Sequence, residues 1–340
     1  MLRQCVVIAA PRRIEVAEES IPPGRSGLLL VRTEVSAISP GTEMLFYRGQ
    51  VPADMAVDAA LSALAQSEVR YPLRYGYACV GRVIDVAGED LTHWLDRRVF
   101  AFVPHASHFW VDPNEVQVVP PELDPERAAL LPNMETAVNL VMDGHPMIGE
   151  RVAVVGQGIV GLLVVALLRQ FPLQELAAFD PIELRRAAAL RLGASSTIFC
   201  DGAEPPAGWE AADLTYELSG NPAALSTALA LTGYAGRVVI GSWYGQKQAP
   251  INLGGAFHRS RIRLIASQVS TIDPQWSGRW DKGRRFALAW QMLRQLPLDS
   301  LVTHRFPVIE ARGAYQLIDR HPEQTIQVLL TYPQGGSTAR

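Results

Sequence analysis

The hydrophobic rhythm of the chain changes once. Up to about residue 130, apolar residues come in short runs cut by Pro and Gly: CVVIAA, GLLLVRTEVSAIS, YACVGRVIDVAG, RRVFAFVP and VQVVP. Runs of this length between turn formers predict strands of a β-rich domain. Residues 52–70, PADMAVDAALSALAQSEVR, break the series with helix formers and apolar positions at helical spacing, which predicts a helical insertion. From about residue 131 to 296, strand-like runs (VAVVG, LAAFD, DLTYELS, RVVIGS, RLIASQ) alternate with helical stretches such as NPAALSTALALT and DKGRRFALAWQMLRQL. Strict alternation predicts a doubly wound parallel sheet, hence an α/β chain. The tail, with THRFPV, a helical AYQLIDRH and TIQVLLTY, predicts a return to the first domain, and QGGSTAR a disordered end. The predicted domains are 1–130, completed by 297–340, and 131–296.

Residues 152–180 carry the most specific chemistry. VAVVG opens into GQGIVG, and the next strand-like run ends in Asp180. Gly156 permits a tight strand-to-helix turn, Gly158 lets backbone approach a pyrophosphate, and Gly161 lets helix pack on strand. Gln157, Ile159 and Val160 complete the loop whose amides face the phosphates at a helix N-terminus. Asp180 accepts hydrogen bonds from an adenosine ribose and repels a 2′-phosphate, which predicts NAD rather than NADP. Arg185 reads equally as a contact on the adenosine side or as a solvated helix charge.

Composition narrows the partners. The 340 residues suffice for two cores, and a net charge of −3 leaves no footprint for nucleic acid or an anionic membrane surface. No leader pattern and no long apolar span is evident, which predicts a soluble cytoplasmic protein. The three cysteines have no close-spaced pair and read as reduced thiols.

The GTE at 41–43, GYACVGRV at 76–83, DRRVFAF, TAVN at 136–139 and the glycine motif together resemble the medium-chain dehydrogenase/reductase superfamily. SAISPGTEMLFYRG and SLVTHRFP look like its branch containing bacteriochlorophyllide dehydrogenases. The resemblance implies a GroES-like β-barrel catalytic domain followed by a Rossmann NAD-binding domain, a small-molecule substrate, and a homodimer joined through the sheet edge near 263–269. It also exposes departures. Where zinc-dependent members hold Cys, His, Glu and a further Cys, this chain has Pro40, Tyr77, Ala78 and the pair Leu131 and Pro132. Pro, Ala and Leu side chains cannot ligate a metal, and Tyr77 alone makes a poor zinc site. The four-Cys structural zinc lobe is missing too, so no metal is expected. His105 and His108 remain, with Glu43, Asn133 and Glu135 elsewhere; two histidines in a Pro-containing loop read more simply as surface or hydrogen-bonded residues.

A nicotinamide enzyme without zinc still needs a proton relay and a partner for developing charge. Thr42 matches the superfamily's hydroxyl relay position, or caps a turn. Tyr77 either polarises the substrate oxygen or fills the volume a metal would take. Glu43 reads as support for local geometry, with Tyr47 beside it lining the pocket. Gly241 and Ser242 are expected near the nicotinamide, Trp243 and Tyr244 on the pocket wall, and Ser267 and Gln268 at the carboxamide. His258 reads as a contact for an anionic or polyhydroxylated substrate, or as a helix cap. The leading expectation is a zinc-independent NAD(H) oxidoreductase interconverting an alcohol and a ketone or aldehyde. Two others stay open: a quinone or enoyl (C=C) reductase, whose relatives prefer NADPH, and a noncatalytic NAD(H)-binding redox sensor.

Overall fold

The computed structural model describes residues 1–52, 69–200 and 205–333, so most of the predicted 52–70 helix and the QGGSTAR end lie outside the described residues. The chain divides into two compact units, Met1–Pro132 with Val302–Arg340, and Asn133–Leu301.

The first unit opens with strands β1 (Leu2–Ala10) and β2 (Arg13–Ser20), an antiparallel pair. The charged face of β2, RIEVAEES, hides it in the sequence, yet Ile14 is buried between exposed Arg13 and Glu15. Strand β3 (Leu29–Ile38) leads into a short helix, α1 (Thr42–Arg48), and then β4 (Cys79–Val86), β5 (Arg98–Ala101), β6 (His108–Val111), β7 (Val116–Val118) and helix α2 (Pro125–Ala128) follow. The HFWV segment is thus not a loop: β6 pairs antiparallel with β3, Leu29 facing Val111.

Helix α3 (Leu131–Gly144) leads into the second unit, whose strands are β8 (Arg151–Val155), β9 (Glu175–Phe179), β10 (Ser196–Ile198), β11 (Ala212–Glu217), β12 (Thr232–Ile240) and β13 (Arg263–Ala266). Helices α4 (Ile159–Leu168), α5 (Glu183–Leu192), α6 (Ala224–Leu231) and α7 (Lys282–Gln295) alternate with them or follow them. All six strands are parallel in the order β10-β9-β8-β11-β12-β13. That is the Rossmann order, with its topological switch between β8 and β11, where dinucleotides lie beyond the carboxyl ends of the strands. Phe179, Val155, Glu217, Ile240 and Ala266 are successive partners across the sheet. The residues that follow them, Asp180, Gly156, Leu218, Gly241 and Ser267, therefore form one row at the carboxyl edge. Backbone bonds continue into that row, Gly156 N donating to Phe179 O (2.8 Å) and Ser267 N to Ile240 O (3.0 Å).

The chain then returns to the first unit as β14 (Val302–Pro307), helix α8 (Ala311–Arg320) and β15 (Gln327–Thr331). Its larger sheet runs β14-β15-β3-β4-β5-β7, with β6 alongside β3. The architecture is α/β, a GroES-like domain and a Rossmann domain. Among the described residues no helix is long and apolar enough to cross a membrane.

Candidate functional site

In the second unit the glycine motif does what its spacing predicts sterically. Gly156 has φ +94°, and a Cβ there would lie 2.5 Å from Ser219 Cα. A Cβ on Gly161 would lie 1.9 Å from the Gly156 carbonyl oxygen. Gly158 differs: it precedes α4, and a Cβ would meet nothing within 4 Å. The first two are fixed by the fold, whereas the third leaves open space beside the helix N-terminus, a cradle suited to a phosphate. Ile159 and Val160 form the first turn of α4, Ile159 buried and Val160 half-buried.

Asp180 is held in place before any ligand arrives. Its Oδ2 accepts from Gln157 N (2.7 Å) and its Oδ1 from Ile182 N (2.8 Å). Each carboxylate oxygen keeps a second acceptor site. Gln157 is fully buried; its Nε2 donates to Val154 O (2.8 Å), while its Oε1 has no hydrogen-bond partner. Burial holds the Arg185 pKa below its usual range, opposed by the charge of Asp180. Neighbouring Arg186 donates to the Asp180 carbonyl (2.8 Å).

Glu217, at the end of β11, organises the next two loops. Its Oε1 accepts from Ser219 N (2.9 Å) and Ser219 Oγ (2.5 Å), and its Oε2 from the Tyr244 hydroxyl (2.5 Å). Burial and this carboxylate push the Tyr244 phenol well above its usual range. Ser242 Oγ accepts from Gly220 N (2.8 Å), and a Cβ on Gly241 would sit 2.5 Å from a Leu140 methyl. Trp243 is exposed. Ser267 Oγ donates to Asp143 Oδ2 (2.6 Å) and accepts from Asn139 Nδ2 (3.0 Å), while Gln268 is exposed and accepts from Ser270 N (2.7 Å). His258 stands apart. It shares an open concavity with Ala235, Ile262 and Arg263, toward the amino ends of β12 and β13 and away from the Asp180–Ser267 row.

In the first unit, Thr42 is half-buried at the first position of α1, directly after the N-cap residue Gly41. Glu43 beside it is fully buried. Its Oε1 meets His105 Nε2 (2.9 Å) and accepts from the Tyr315 hydroxyl, and its Oε2 accepts from Ser39 N (3.2 Å). His105 Nδ1 meets Ser36 Oγ (2.7 Å), which in turn meets the Tyr332 hydroxyl (2.8 Å). Burial alone would lower the His105 pKa, but the Glu43 carboxylate and Cys79 together outweigh burial and raise it. Glu43 and His105 form a buried hydrogen-bonded pair. Gly76, at φ +121°, makes room for it, since a Cβ would lie 2.6 Å from the His105 ring. Tyr77 follows that glycine, half-buried, its ring edge-on to Tyr75 at 6.0 Å. Tyr47 is a core residue, 3% exposed, packed on Tyr315 with its hydroxyl donating to Arg12 O (3.3 Å).

His108 lies on β6 with its Nδ1 against Ser107 Oγ (3.1 Å), and the Glu135 carboxylate is engaged by Arg285. Among the described residues no group of three or more His, Cys, Asp or Glu side chains is arranged to hold a metal ion. Glu43 is read in the sequence as support for local geometry and His105 as a hydrogen-bonded residue, but their partner Tyr315 is not, nor are Glu217 and Arg285 as site-building residues. A lone Glu ending the apolar LTYE run was the only local signal among them.

No protein-family model matches the chain. L-threonine 3-dehydrogenase of Bacillus velezensis is 32% identical over 138 residues, 39% of this chain and 40% of that protein, so the match spans under half of the relative. D-guloside 3-dehydrogenase of Escherichia coli K12 is 23% identical over 96% of this chain and 99% of its own length. The 2-desacetyl-2-hydroxyethyl bacteriochlorophyllide A dehydrogenase of Rhodobacter capsulatus is 26% identical over 95% and 96%. Among solved structures, a short chain alcohol dehydrogenase of E. coli CFT073 complexed with NADH superimposes with a TM-score of 0.78 at 17% identity, covering 97% of this chain and 99% of that one. The two-domain fold and these relatives together support a place for the chain in the medium-chain dehydrogenase/reductase superfamily.

Proposed function

We propose that this protein is a zinc-independent, NAD(H)-dependent oxidoreductase that interconverts an alcohol and a ketone or aldehyde. The observation that carries the reading is Asp180, buried at the end of β9 and oriented by Gln157 N and Ile182 N beside an open glycine cradle. The amides at 156–161 would hold the pyrophosphate and Asp180 the adenosine ribose, with Arg185 alongside. Gly241, Ser242, Ser267 and Gln268, past the ends of β12 and β13, would hold the nicotinamide half. When bound, the nicotinamide supplies the hydride acceptor. Thr42 would relay the proton of the substrate hydroxyl, passing its own proton on to solvent as it accepts one, and Tyr77 would donate a hydrogen bond to the substrate oxygen as charge develops there. Dehydrogenases of threonine and of a guloside among the relatives support an alcohol as the substrate class.

Zinc does not fit the residues present. Pro40, Ala78, Leu131 and Pro132 bring no side-chain donor, and a single phenol at Tyr77 falls short of the three protein ligands a catalytic zinc takes. The free cysteines Cys5, Cys79 and Cys200 favour a reducing, cytoplasmic compartment.

The test is a panel of polyols and secondary alcohols assayed with NAD and NADP side by side, together with titration of both reduced cofactors. NADH is expected to bind at least about tenfold more tightly than NADPH, because a 2′-phosphate would meet the Asp180 carboxylate. Asp180→Asn keeps one acceptor oxygen but sets its amide NH2 against one of the two backbone donors, so it should erase most of that preference and lower the melting temperature while the protein stays folded. Tighter NADPH binding by the wild type would overturn the assignment.

The same reading extends to a homodimer. Strand β13 is one of the two outer strands of the six-stranded sheet and leaves one backbone edge for a second copy. Light scattering at micromolar concentration should give twice the chain mass; a monomer alone would refute it.

A further inference from the structure

Arg285, on α7, is the largest fully buried side chain among the described residues, and every one of its guanidinium donors is used. Nε and Nη2 donate to Glu135 Oε1 (3.1 and 2.7 Å). Nη1 donates to Asn139 Oδ1 (2.5 Å) and to the Thr271 carbonyl (3.0 Å), and Nη2 also donates to the Val269 carbonyl. Asn139 passes the restraint on: its Nδ2 donates to Asp143 Oδ2 (2.9 Å) and to Ser267 Oγ (3.0 Å), and Ser267 Oγ donates to the same Asp143 oxygen (2.6 Å). Glu135, Asn139 and Asp143 recur every four residues along one face of α3. One helix face and one arginine thereby fix three alternate residues, 267, 269 and 271, of the loop leaving β13.

A surface loop needs no such device. Burying a charged arginine costs several kcal/mol unless its partners are in good geometry, so a fully satisfied buried network marks a backbone segment held to a narrow conformation. This segment follows the carboxyl end of β13, in the edge row that also holds Asp180, Gly156 and Gly241.

We propose that Arg285 is a positioning residue for the nicotinamide half of the cofactor, holding the 267–271 backbone in the shape that receives it. Arg285 touches no ligand itself; it acts through the Val269 and Thr271 carbonyls and, by way of Asn139, through Ser267. The inference rests on the proposed NAD(H) function.

Arg285→Lys keeps the charge beside Glu135 but loses the planar fork that reaches two carbonyls and Asn139 together. Glu135→Gln keeps an acceptor oxygen and serves as the second variant if the first folds poorly. Calorimetric titration with NADH and with ADP-ribose separates the two halves of the cofactor, because ADP-ribose uses only the 156–161 loop and Asp180. Arg285→Lys should weaken NADH about tenfold, the equivalent of one charged hydrogen bond, while ADP-ribose affinity stays within twofold. Glu135→Gln should shift NADH in the same direction by less. Equal loss for both ligands would make Arg285 a general structural residue and overturn the proposal, as would unchanged NADH affinity in both variants. Failure of the wild type to bind either ligand would instead bring down the cofactor assignment on which the proposal stands.

Discussion

Gly161→Ala should lose NADH binding by about a hundredfold or more and lower the melting temperature at the same time. The added Cβ would lie 1.9 Å from the Gly156 carbonyl oxygen, a backbone atom that no rotamer change can move. Either α4 withdraws from β8 or the turn at Gly156 opens, and each displaces the amides that would face the pyrophosphate. Gly156 has little room to shift, because the space beside it is taken by the backbone at Ser219, 2.5 Å from where a Cβ would sit. Overpacking of this kind costs roughly 1–3 kcal/mol in ordinary cores. Gly158→Ala is the informative contrast. Its Cβ meets nothing within 4 Å in the free protein, so the melting temperature should hold, while NADH affinity falls if the pyrophosphate occupies that space. NADH affinity within twofold of wild type in Gly161→Ala would remove the glycine loop from the cofactor site.

That loop was readable from the sequence because its information is local: three glycines at fixed spacing encode a turn, an open face and a close approach. The alternation of strand and helix was readable for the same reason, since each element declares its own period. Two strands escaped. Half of the residues of β2 are Glu or Arg, and only Ile14 turns fully inward. The four residues of β6 follow a Pro-containing segment, and their place is set by pairing with β3 rather than by their own pattern.

The polar scaffolding escaped for a different reason. Glu43 was expected to support local geometry, but its partners lie 62 residues away at His105 and 272 away at Tyr315. Arg285 and Glu135 are 150 residues apart. No spacing rule links such pairs, and each member alone reads as an ordinary charge. His258 shows the converse. Its AFHRS context suggested a substrate contact, whereas its position is set by the turn after residues 253–257 and lies toward the other end of the sheet.

Removing either candidate hydroxyl, in Thr42→Val or Tyr77→Phe, should lower turnover by about 10²–10⁴-fold while leaving NADH affinity nearly unchanged. Both changes approximately preserve volume, so packing loss is small. The two residues belong to the same unit and hang from the same buried pair. Thr42 immediately precedes Glu43, and Tyr77 immediately follows Gly76, the glycine on which the His105 ring rests. With Glu43 Oε1 and His105 Nε2 at 2.9 Å, this pair ties the start of α1 to the imidazole that Gly76 packs against, just before β4. In a chain whose Pro40, Ala78, Leu131 and Pro132 offer no metal donor, the proposed mechanism would use this clamp to hold the two hydroxyls in place. Elemental analysis belongs in the same experiment: protein purified without added metal should carry no stoichiometric zinc and should keep its turnover in chelator. Near-normal turnover in both variants would sink the two-hydroxyl mechanism. One zinc per chain, lost to chelator together with activity, would return the oxygen-polarising role to a metal and leave Tyr77 as packing.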